Sequence, residues 1–401
     1  MEQSDSIIVI KQGMIHDAVH EEAYHADILI ADGKIKKIAP VLEGKIINDA
    51  VVIDASNKHV YPGFVEAHCH LGLDGYAIGF EGQDYNEATD SLTPQLSAID
   101  GINPQDPTFE MALQAGVTCV ATGPGSSNVL GGTFTAIKTV GKRIDDMVIK
   151  KAVAMKCAFG ENPKRCYKDK DNYSRMSTAS KLRIMLERTK EYLARKEAAG
   201  EDIGKAPAYD PKLEALIPVI RGEMPLKAHA HRADDIFTAI RIAKEYQVDL
   251  TIDHCTDGSL IAEELAAEGF PVAVGPTFGH AGKPELRNKS FETPGVLARA
   301  GCQVSIITDS PVIQQQYLPL CAGLAVKHGM DAFEALKAIT IHAAKHIGVE
   351  DLVGSLEEGK DADIVIADGD PLISNTIIEK VLVDGVLVID CQDSSPSAAP
   401  Q

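Results

Sequence analysis

The two ends of this chain carry nearly the same strand-and-turn segment, which restricts the fold more than any other feature of the sequence. Asp27–Gly33 reads D-I-L-I-A-D-G, and Asp363–Gly369 reads D-I-V-I-A-D-G. A further Asp-Gly pair, Asp384-Gly385, separates two more apolar runs. An Asp-Gly pair between apolar runs is a strong β-hairpin signal, and an isolated hairpin is only marginally stable in water. We therefore expect one small β-domain built from both ends, with the rest of the chain inserted between them.

The middle of the chain alternates short β-branched runs with helical patterns, which is typical of a barrel. The predicted strands are Val117–Ala121, Lys151–Ala158, Leu226–Ala230, Leu250–Asp253, Pro271–Val274 and Gln303–Thr308. The predicted helices include Phe109–Ala115, Ala233–Tyr246, Leu260–Glu268 and Pro294–Ala300, and Ser177–Gly200 is expected to be a long inserted helix. Repeated β-then-α units favour a (β/α)₈ barrel. An open doubly wound sheet is the alternative, but no G-x-G-x-x-G turn follows any strand.

The predicted fold is therefore α/β, with a (β/α)₈ TIM-type barrel and a small discontinuous β-sandwich. We assign residues 62–354 to the barrel and residues 1–61 and 355–401 to the sandwich. The Ser/Pro/Ala-rich end, Asp393–Gln401, is expected to be disordered.

Charge and cysteine usage exclude some classes of partner. The 39 basic and 58 acidic residues give a formal net charge of -19, which disfavours binding to nucleic acid and to anionic membranes. The polar start of the chain lacks a signal-peptide pattern, and no apolar run is long enough to span a membrane. The eight cysteines show no C-x-x-C spacing. We expect a reduced, cytoplasmic protein that binds a small molecule, and homo-oligomerisation is left open.

Polar side chains with metal-binding chemistry follow the predicted strands. In such a barrel the active site lies at the carboxyl ends of the strands. The residues found there are His68, His70, Glu161, His229, His231, His254 and Asp309. A single histidine in such a position is more often a hydrogen-bonded structural residue, but five of the thirteen histidines share this placement. Imidazole and carboxylate together suit Zn²⁺ or a similar divalent ion, so we predict a site for one or two ions.

Two motifs resemble those of the amidohydrolase superfamily. Pro62–Gly72 reads P-G-F-V-E-A-H-C-H-L-G, similar to the P-G-F-[VI]-D-x-H-x-H signature. Gly354–Val365 reads G-S-L-E-E-G-K-D-A-D-I-V, similar to the strand that returns these chains to their β-domain. The nearest resemblance is to the imidazolonepropionase-like and Xaa-Pro-dipeptidase-like branch. It implies a metal-dependent hydrolase with a barrel and a small β-sandwich.

The resemblance also implies roles for individual residues. By position, the metal ligands would be His68, His70, His229, His254 and Asp309, and Asp309 would also move the proton. His231 would face the substrate, although the H-A-H spacing leaves the choice between His229 and His231 open. Many two-metal members bridge their ions with a carboxylated lysine. Glu161 resembles the strand-three glutamate of N-acetylglucosamine-6-phosphate deacetylases and is the predicted bridge here, with Lys156 and Lys227 as the alternatives.

These roles imply cleavage of a C–N bond, in an amide, N-acyl compound or dipeptide, by a metal-activated hydroxide. Asp309 would accept the proton of the water and return it to the departing nitrogen, while His254 or His231 would stabilise the oxyanion. The alternative is a hydrolytic deaminase or an imidazolonepropionase-like cyclic amidase. Those branches carry a glutamate three residues after the fifth-strand histidine, where this chain has Arg232. A non-catalytic scaffold is a third reading, but such a protein should have gaps in the ligand set.

Substrate contacts are predicted at Arg232, His280 and Asn128. Arg232 could bind a substrate carboxylate through its planar fork, or could pair with Asp234 or Asp235 at a helix start. Asn128 lies in the glycine-rich loop Gly123–Gly132, which follows a predicted strand and could bind an anion or be a plain turn. His280 follows the seventh predicted strand, where a substrate contact and a surface position are equally compatible with the pattern. The segment Asp74–Asp106 could be a lid over the mouth.

Overall fold

The computed structural model describes residues 7–44, 50–76 and 79–391. The strands are β1 Ile8–Ile15, β2 Tyr24–Ala31, β3 Lys34–Ala39, β4 Val51–Asp54, β5 His59–Pro62, β6 Phe64–Cys69, β7 Val117–Thr122, β8 Leu130–Lys138, β9 Val148–Ala158, β10 Leu226–Ala230, β11 Leu250–His254, β12 Val272–Val274, β13 Val304–Ile306, β14 Ile364–Ala367, β15 Ile378–Val383 and β16 Val386–Asp390. The helices are α1 Thr108–Gln114, α2 Ile144–Met147, α3 Glu161–Tyr167, α4 Arg175–Ala199, α5 Pro211–Ile220, α6 Ala233–Tyr246, α7 Ala262–Glu268, α8 Thr293–Ala300, α9 Leu318–Lys327, α10 Ala332–Ala338 and α11 Ile341–Ile347.

Strands from both ends of the chain share one sheet, which we call the terminal sheet. Its order is β16-β15-β14-β5-β1-β2-β3, and β4 also pairs with β1. The two ends meet where β14 runs antiparallel to β5. The strands form one hydrogen-bonded sheet where a two-sheet sandwich was expected. In this sheet β1 pairs with β2, with an irregularity between Ile10 and Gly13, and it also pairs first with β4 and then with β5. The domain boundaries at residues 61/62 and 354/355 stay a prediction.

The Asp-Gly turns of the terminal sheet have the backbone that their sequence predicts. Asp32 and Gly33 both have positive φ, at 51° and 71°, and Asp384 and Gly385 have φ of 48° and 72°. This conformation suits tight hairpin turns and explains the Asp-Gly pairs. A Cβ on Gly33 would lie 3.1 Å from the carbonyl oxygen of Asp384, so the two turns pack against each other.

A second eight-stranded sheet, in the order β13 to β6, forms the nearly closed barrel. Seven of its strands are parallel, as the alternating pattern predicts, but β8 is antiparallel to both β7 and β9. The regular (β/α)₈ expectation is therefore wrong at the third strand. The glycine-rich loop Gly123–Gly132 turns the chain directly back from β7 into β8, so no helix lies between these two strands.

A buried glutamate joins the two edges of the barrel sheet. Glu66 of β6 accepts hydrogen bonds from the backbone N–H and the hydroxyl of Thr308, at 2.9 and 2.6 Å, and from Gln315 at 3.0 Å. The backbone N–H of His70 donates to the carbonyl of Ser310 at 2.8 Å. Burial raises the pKa of Glu66 to about 7 against these hydrogen bonds. The first and last barrel strands therefore meet through a carboxylate rather than through a strand ladder.

An ion cluster, which we call the terminal junction, joins the terminal sheet to the barrel. Lys138 at the end of β8 lies 2.9 Å from Asp361, 2.8 Å from Asp363 and 3.1 Å from Asp384. The side chain of Lys138 is only 4% exposed. Its three carboxylates raise its pKa against the effect of burial, so the lysine stays charged.

The remaining elements agree broadly with the sequence pattern. The long helix predicted at Ser177–Gly200 is α4, and its inner face is buried around Leu186. Within the described residues no helix is long and apolar enough to cross a membrane. The predicted disordered end, Asp393–Gln401, lies outside the described residues.

Candidate metal centre

Two histidine groups meet at the carboxyl ends of the barrel strands. The first group comprises His68 of β6, His70 directly after that strand, and Asp309 after β13. Their ligand atoms lie within 4.8 Å of one another. The Nε2 atoms of His68 and His70 lie 3.3 and 3.2 Å from the Asp309 carboxylate. Both histidines point the same way because side chains two residues apart share one face of a strand.

The second group comprises His229, His231 and His254, from β10, the residue after it, and β11. The imidazole centroids of His229 and His254 are 4.4 Å apart, and those of His68 and His254 are 5.1 Å apart. The two groups are therefore neighbours across the mouth of the barrel. All six side chains of the two groups are predicted site residues, and five of them are buried.

The ring hydrogen bonds fix how the imidazoles face the centre. Nδ1 of His70 bonds the Gly123 carbonyl at 2.7 Å, and Nδ1 of His254 bonds the Gly275 carbonyl at 2.8 Å. Because a carbonyl only accepts, each Nδ1 carries the proton and each Nε2 keeps a free lone pair. The Nε2 atoms of His229 and His254 are buried without a hydrogen-bond partner. Orphaned imidazole nitrogens facing a carboxylate are the donors that a divalent ion requires, so the residues fit a metal.

The second group is also electrically suited to a cation. Burial lowers the pKa of His254 to about 3 and holds the pKa values of His229 and His231 well below their usual range. These rings are neutral at physiological pH, which is the form that binds metals.

Asp309 is the carboxylate at the centre of the site. Burial favours its neutral form, but His254, His68 and His70 outweigh burial and hold its pKa well below the usual range. Asp309 and His254 both have positive φ, 54° and 75°, a backbone region that non-glycine residues rarely adopt. Such strained positions often occur at functional sites. The ionised carboxylate can therefore accept a proton or bind a cation.

Beneath the first group lies a buried ionic network that sequence reasoning missed in part. Lys156 Nζ is 3.4 Å from Nε2 of His68 and 3.6 Å from the Asp253 carboxylate. Asp253 also lies 3.0 Å from Nδ1 of His68 and 2.8 Å from Lys227 Nζ. His346 of α11 lies 3.6 Å from Asp253. Burial, aided by the charge of Lys227, lowers the pKa of Lys156 to about 8.

Four predicted site residues lie away from both histidine groups. Glu161 begins α3, and its backbone N–H donates to Glu285 at 2.9 Å. Arg232 donates to both oxygens of Asp234, at 2.9 and 2.8 Å. This agrees with the alternative in which Arg232 pairs with an acidic residue at the start of a helix. His280 is exposed on the loop after β12.

Asn128 is buried and serves the loop structure. It donates to the Asp90 carbonyl, the Thr93 hydroxyl and the Tyr167 hydroxyl at 2.8, 3.1 and 3.1 Å. Its N–H groups thereby hold Asp90 and Thr93 of the segment predicted as a lid, from which Tyr85 and Asn86 line the cavity at the mouth. A lid function of that segment stays a prediction.

Three other residues at the mouth were not predicted from the sequence. Tyr85 stacks on His70 with 5.0 Å between ring centroids, and the Ser126 hydroxyl is 2.7 Å from Nδ1 of His229. Glu285 lies 3.9 Å from Nε2 of both His229 and His231. Tyr85 and Glu285 lie in irregular segments whose position follows from tertiary packing. Ser126 could have been found, since it belongs to the glycine-rich loop after β7.

The fold and this histidine site define the class of protein. The Amidohydrolase family matches residues 184–389, slightly more than half of the chain. The chain belongs to this family, and the prediction of a hydrolase acting on carbon–nitrogen bonds is thereby confirmed.

Two relatives with known names are similar to this chain over most of its length. Amidohydrolase tasK of Hapsidospora irregularis is 28% identical over 391 residues, covering 91% of this chain and 40% of tasK. This chain thus spans two fifths of that relative's length. Imidazolonepropionase of Geobacillus kaustophilus is 28% identical over 358 residues, covering 79% of this chain and 76% of that enzyme.

Solved structures agree with the family assignment. An amidohydrolase from Thermotoga maritima MSB8 superimposes with a TM-score of 0.92 and 38% identity, over 96% of this chain and 100% of that one. A Xaa-Pro dipeptidase with bound methionine shares the fold at 16% identity, with a TM-score of 0.58 over 95% of this chain and 99% of that one.

Proposed function

We propose that this chain is a divalent-metal-dependent amidohydrolase that cleaves an amide, N-acyl or dipeptide C–N bond in a small substrate. The observation that carries the proposal is the pair of neighbouring ligand groups, in which the Nε2 atoms of His229 and His254 are buried without hydrogen-bond partners. Zn²⁺ suits these donors best. A bound divalent ion would lower the pKa of water from 15.7 to about 7 and polarise the substrate carbonyl.

The ligand assignment follows from which nitrogens are free. His68, His70 and Asp309 would hold one ion. His229 and His254 would contribute to a second, because their Nε2 atoms are buried without partners. His231 lines the cavity at the mouth together with His229, and we assign it toward the substrate because the partnerless Nε2 atoms are those of His229 and His254.

Lys156 is a better candidate than Glu161 for a bridge between two ions. It lies beside His68, whereas Glu161 belongs to neither ligand group of the described residues. A lysine whose pKa is about 8 is partly neutral at physiological pH. Its free amine can add to CO₂ with loss of a proton, and the carbamate so formed would offer two oxygens.

In this mechanism the proton is carried by Asp309. Its carboxylate accepts a proton as water oxygen bonds to the substrate carbonyl carbon, and the carbonyl becomes an oxyanion. His231 lies on the cavity wall where it can donate a hydrogen bond to that oxyanion. Asp309 then gives the proton to the departing nitrogen as the C–N bond breaks, which returns the carboxylate to its starting state.

A cyclic amidase is the second candidate, because the imidazolonepropionase relative covers 79% of this chain. Against it, the position three residues after His229 is Arg232, and its guanidinium binds Asp234.

The test combines metal analysis with a substrate panel. The purified chain is expected to contain about one or two equivalents of metal. Chelation should abolish cleavage of N-acyl amino acids or dipeptides, and Zn²⁺, Mn²⁺ or Co²⁺ should restore it. Ammonia release from an aminated heterocycle, with no acyl or dipeptide turnover, would overturn the proposed reaction. Absence of stoichiometric metal, with no hydrolysis after metal addition, would indicate a scaffold.

A further inference from the structure

The mouth of the barrel holds a cavity of about 300 Å³ that ligand-group residues and cations line together. One part of its wall carries His229, His231 and Asp309. Another part of its wall carries two cations, Arg165 of α3 and Lys283 of the loop after β12. A cavity of this size suits a small molecule, which could contact both parts at once.

Lys283 is held in place but keeps a free donor. Its Nζ lies 2.7 Å from the Glu285 carboxylate and donates to the Asn162 side-chain carbonyl at 2.9 Å. An ammonium has three N–H groups, so one donor remains for a ligand. The Glu285 carboxylate balances the charge of Lys283. Lys283 therefore adds little net positive charge to the cavity and acts mainly as an oriented hydrogen-bond donor.

Arg165 is the uncompensated cation of this wall. It lies three residues after Asn162 on α3, hence on the same face of the helix. Across residues 7–44, 50–76 and 79–391, Arg165 has neither an ion pair nor a side-chain hydrogen bond. Arg232, by contrast, is bound on both sides by Asp234. Among the cations that line this cavity, Arg165 is thus the one whose charge is left without a carboxylate partner in the described part of the chain.

We propose that Arg165, together with Lys283, forms an anion subsite that binds a carboxylate of the substrate within the cavity that the ligand groups also line. The inference rests on the proposed function for the identity of the reacting group, and it names the substrate class. That class is small amides or N-acyl compounds with a free carboxylate. The planar guanidinium binds a carboxylate with two parallel hydrogen bonds.

Binding of unreactive probes tests the subsite without relying on turnover. The probes are 4-oxopentanoate, which places a ketone and a carboxylate as N-acetylglycine places its carbonyl and carboxylate, and the neutral 5-hydroxypentan-2-one. Calorimetry is done on the metal-loaded full chain at low ionic strength. The wild type should bind the acid at least about tenfold more tightly than the alcohol. Arg165→Gln should remove most of that difference and leave the binding of the alcohol within about twofold.

Two further variants make the result specific to this residue. Arg165→Lys should keep part of the preference for the acid, and more salt should weaken it, since the subsite is exposed. Arg232→Gln, a matched loss of one arginine near the mouth, should keep the full preference. The inference is overturned if the wild type binds the acid no more tightly than the alcohol. It is equally overturned if Arg165→Gln keeps the preference or if Arg232→Gln removes it as well. Failure of the proposed function would instead show as absent C–N cleavage, a separate measurement.

Discussion

The metal centre and the terminal junction are both buried clusters of ionisable groups, but their electrostatics are opposite. At the junction, Lys138 is surrounded by three carboxylates and keeps its charge. At the centre, burial keeps the imidazoles neutral and leaves Nε2 atoms of His229 and His254 without partners. A cluster whose charges are paired stabilises the fold, whereas one that leaves neutral imidazole nitrogens unpaired is suited to a ligand.

The largest effect should come from Asp309→Asn, which should abolish activity but not folding. An amide cannot accept the proton of water, so we expect kcat/KM to fall by about 10³-fold or more. Circular dichroism and thermal unfolding should show a folded chain, and metal analysis should show that some metal remains. A variant with wild-type kcat/KM would remove Asp309 from the mechanism.

Lys138→Met should have the reverse effect, on stability but not on chemistry. It leaves the buried Asp363 and the partly exposed Asp384 without their cation and Asp361 with Lys34 alone, which we expect to lower the free energy of unfolding by about 3–5 kcal/mol. The remaining folded molecules should have an unchanged kcat, because the junction does not contact the metal centre. Urea unfolding and active-site-normalised kinetics measure the two effects. The exposed pair of Lys36 and Asp32 offers a control, since Lys36→Met should change stability by no more than about 0.5 kcal/mol.

Lys156→Arg tests whether a carbamate belongs to the metal centre. A guanidinium keeps a positive charge beside Asp253 but does not form a carbamate. We expect less bound metal and about a 100-fold loss of kcat/KM. With ¹³C-labelled bicarbonate, the wild type should show a carbamate resonance that is missing in this variant and kept in Lys227→Arg. Full metal content and activity in Lys156→Arg would rule out the bridge.

The smallest effect is a pH dependence at the terminal junction. Burial favours the neutral form of Asp361, but Lys138 and Lys34 outweigh burial and hold its pKa below 3.8. A carboxylate with a lowered folded-state pKa stabilises the fold above its unfolded pKa, and that stabilisation is lost as pH falls. Asp361→Asn should therefore be less stable than the wild type at pH 7. The difference in unfolding midpoint should shrink below about pH 4, and a gap that stays constant down to pH 2 would contradict the assignment.

Much of this molecule could be predicted from sequence because its signals are local. The H-x-H pair of β6, the H-A-H of β10 and the acidic residue after β13 each follow a strand-like run, and a barrel brings such positions together. The antiparallel direction of β8 could not be predicted in this way. An apolar run such as Leu130–Lys138 carries no sign of its direction, which depends on the loop before it.

The substrate side of the site was predicted less well, for a different physical reason. Arg232, His280 and Asn128 were chosen by their place along the chain, but where each side chain lies depends on its partners. Arg232 pairs with Asp234 two residues away, whereas Arg165 forms no ion pair with any acidic residue that the structure describes. Lys156 was only a fallback, because the charge environment that lowers its pKa is made by β10 and β11.

The contact between Glu66 and Thr308, which joins the two edges of the barrel sheet, makes assembly of the first ligand group depend on the order of folding. Glu66 and Thr308 are 242 residues apart along the chain, and the ligands His68, His70 and Asp309 flank that same contact. The first ligand group therefore does not exist until the last barrel strand has docked on the first. During synthesis, the chain would gain this group only after nearly the entire barrel had been made. Metal binding at this group, as proposed above, would therefore report that the barrel is complete.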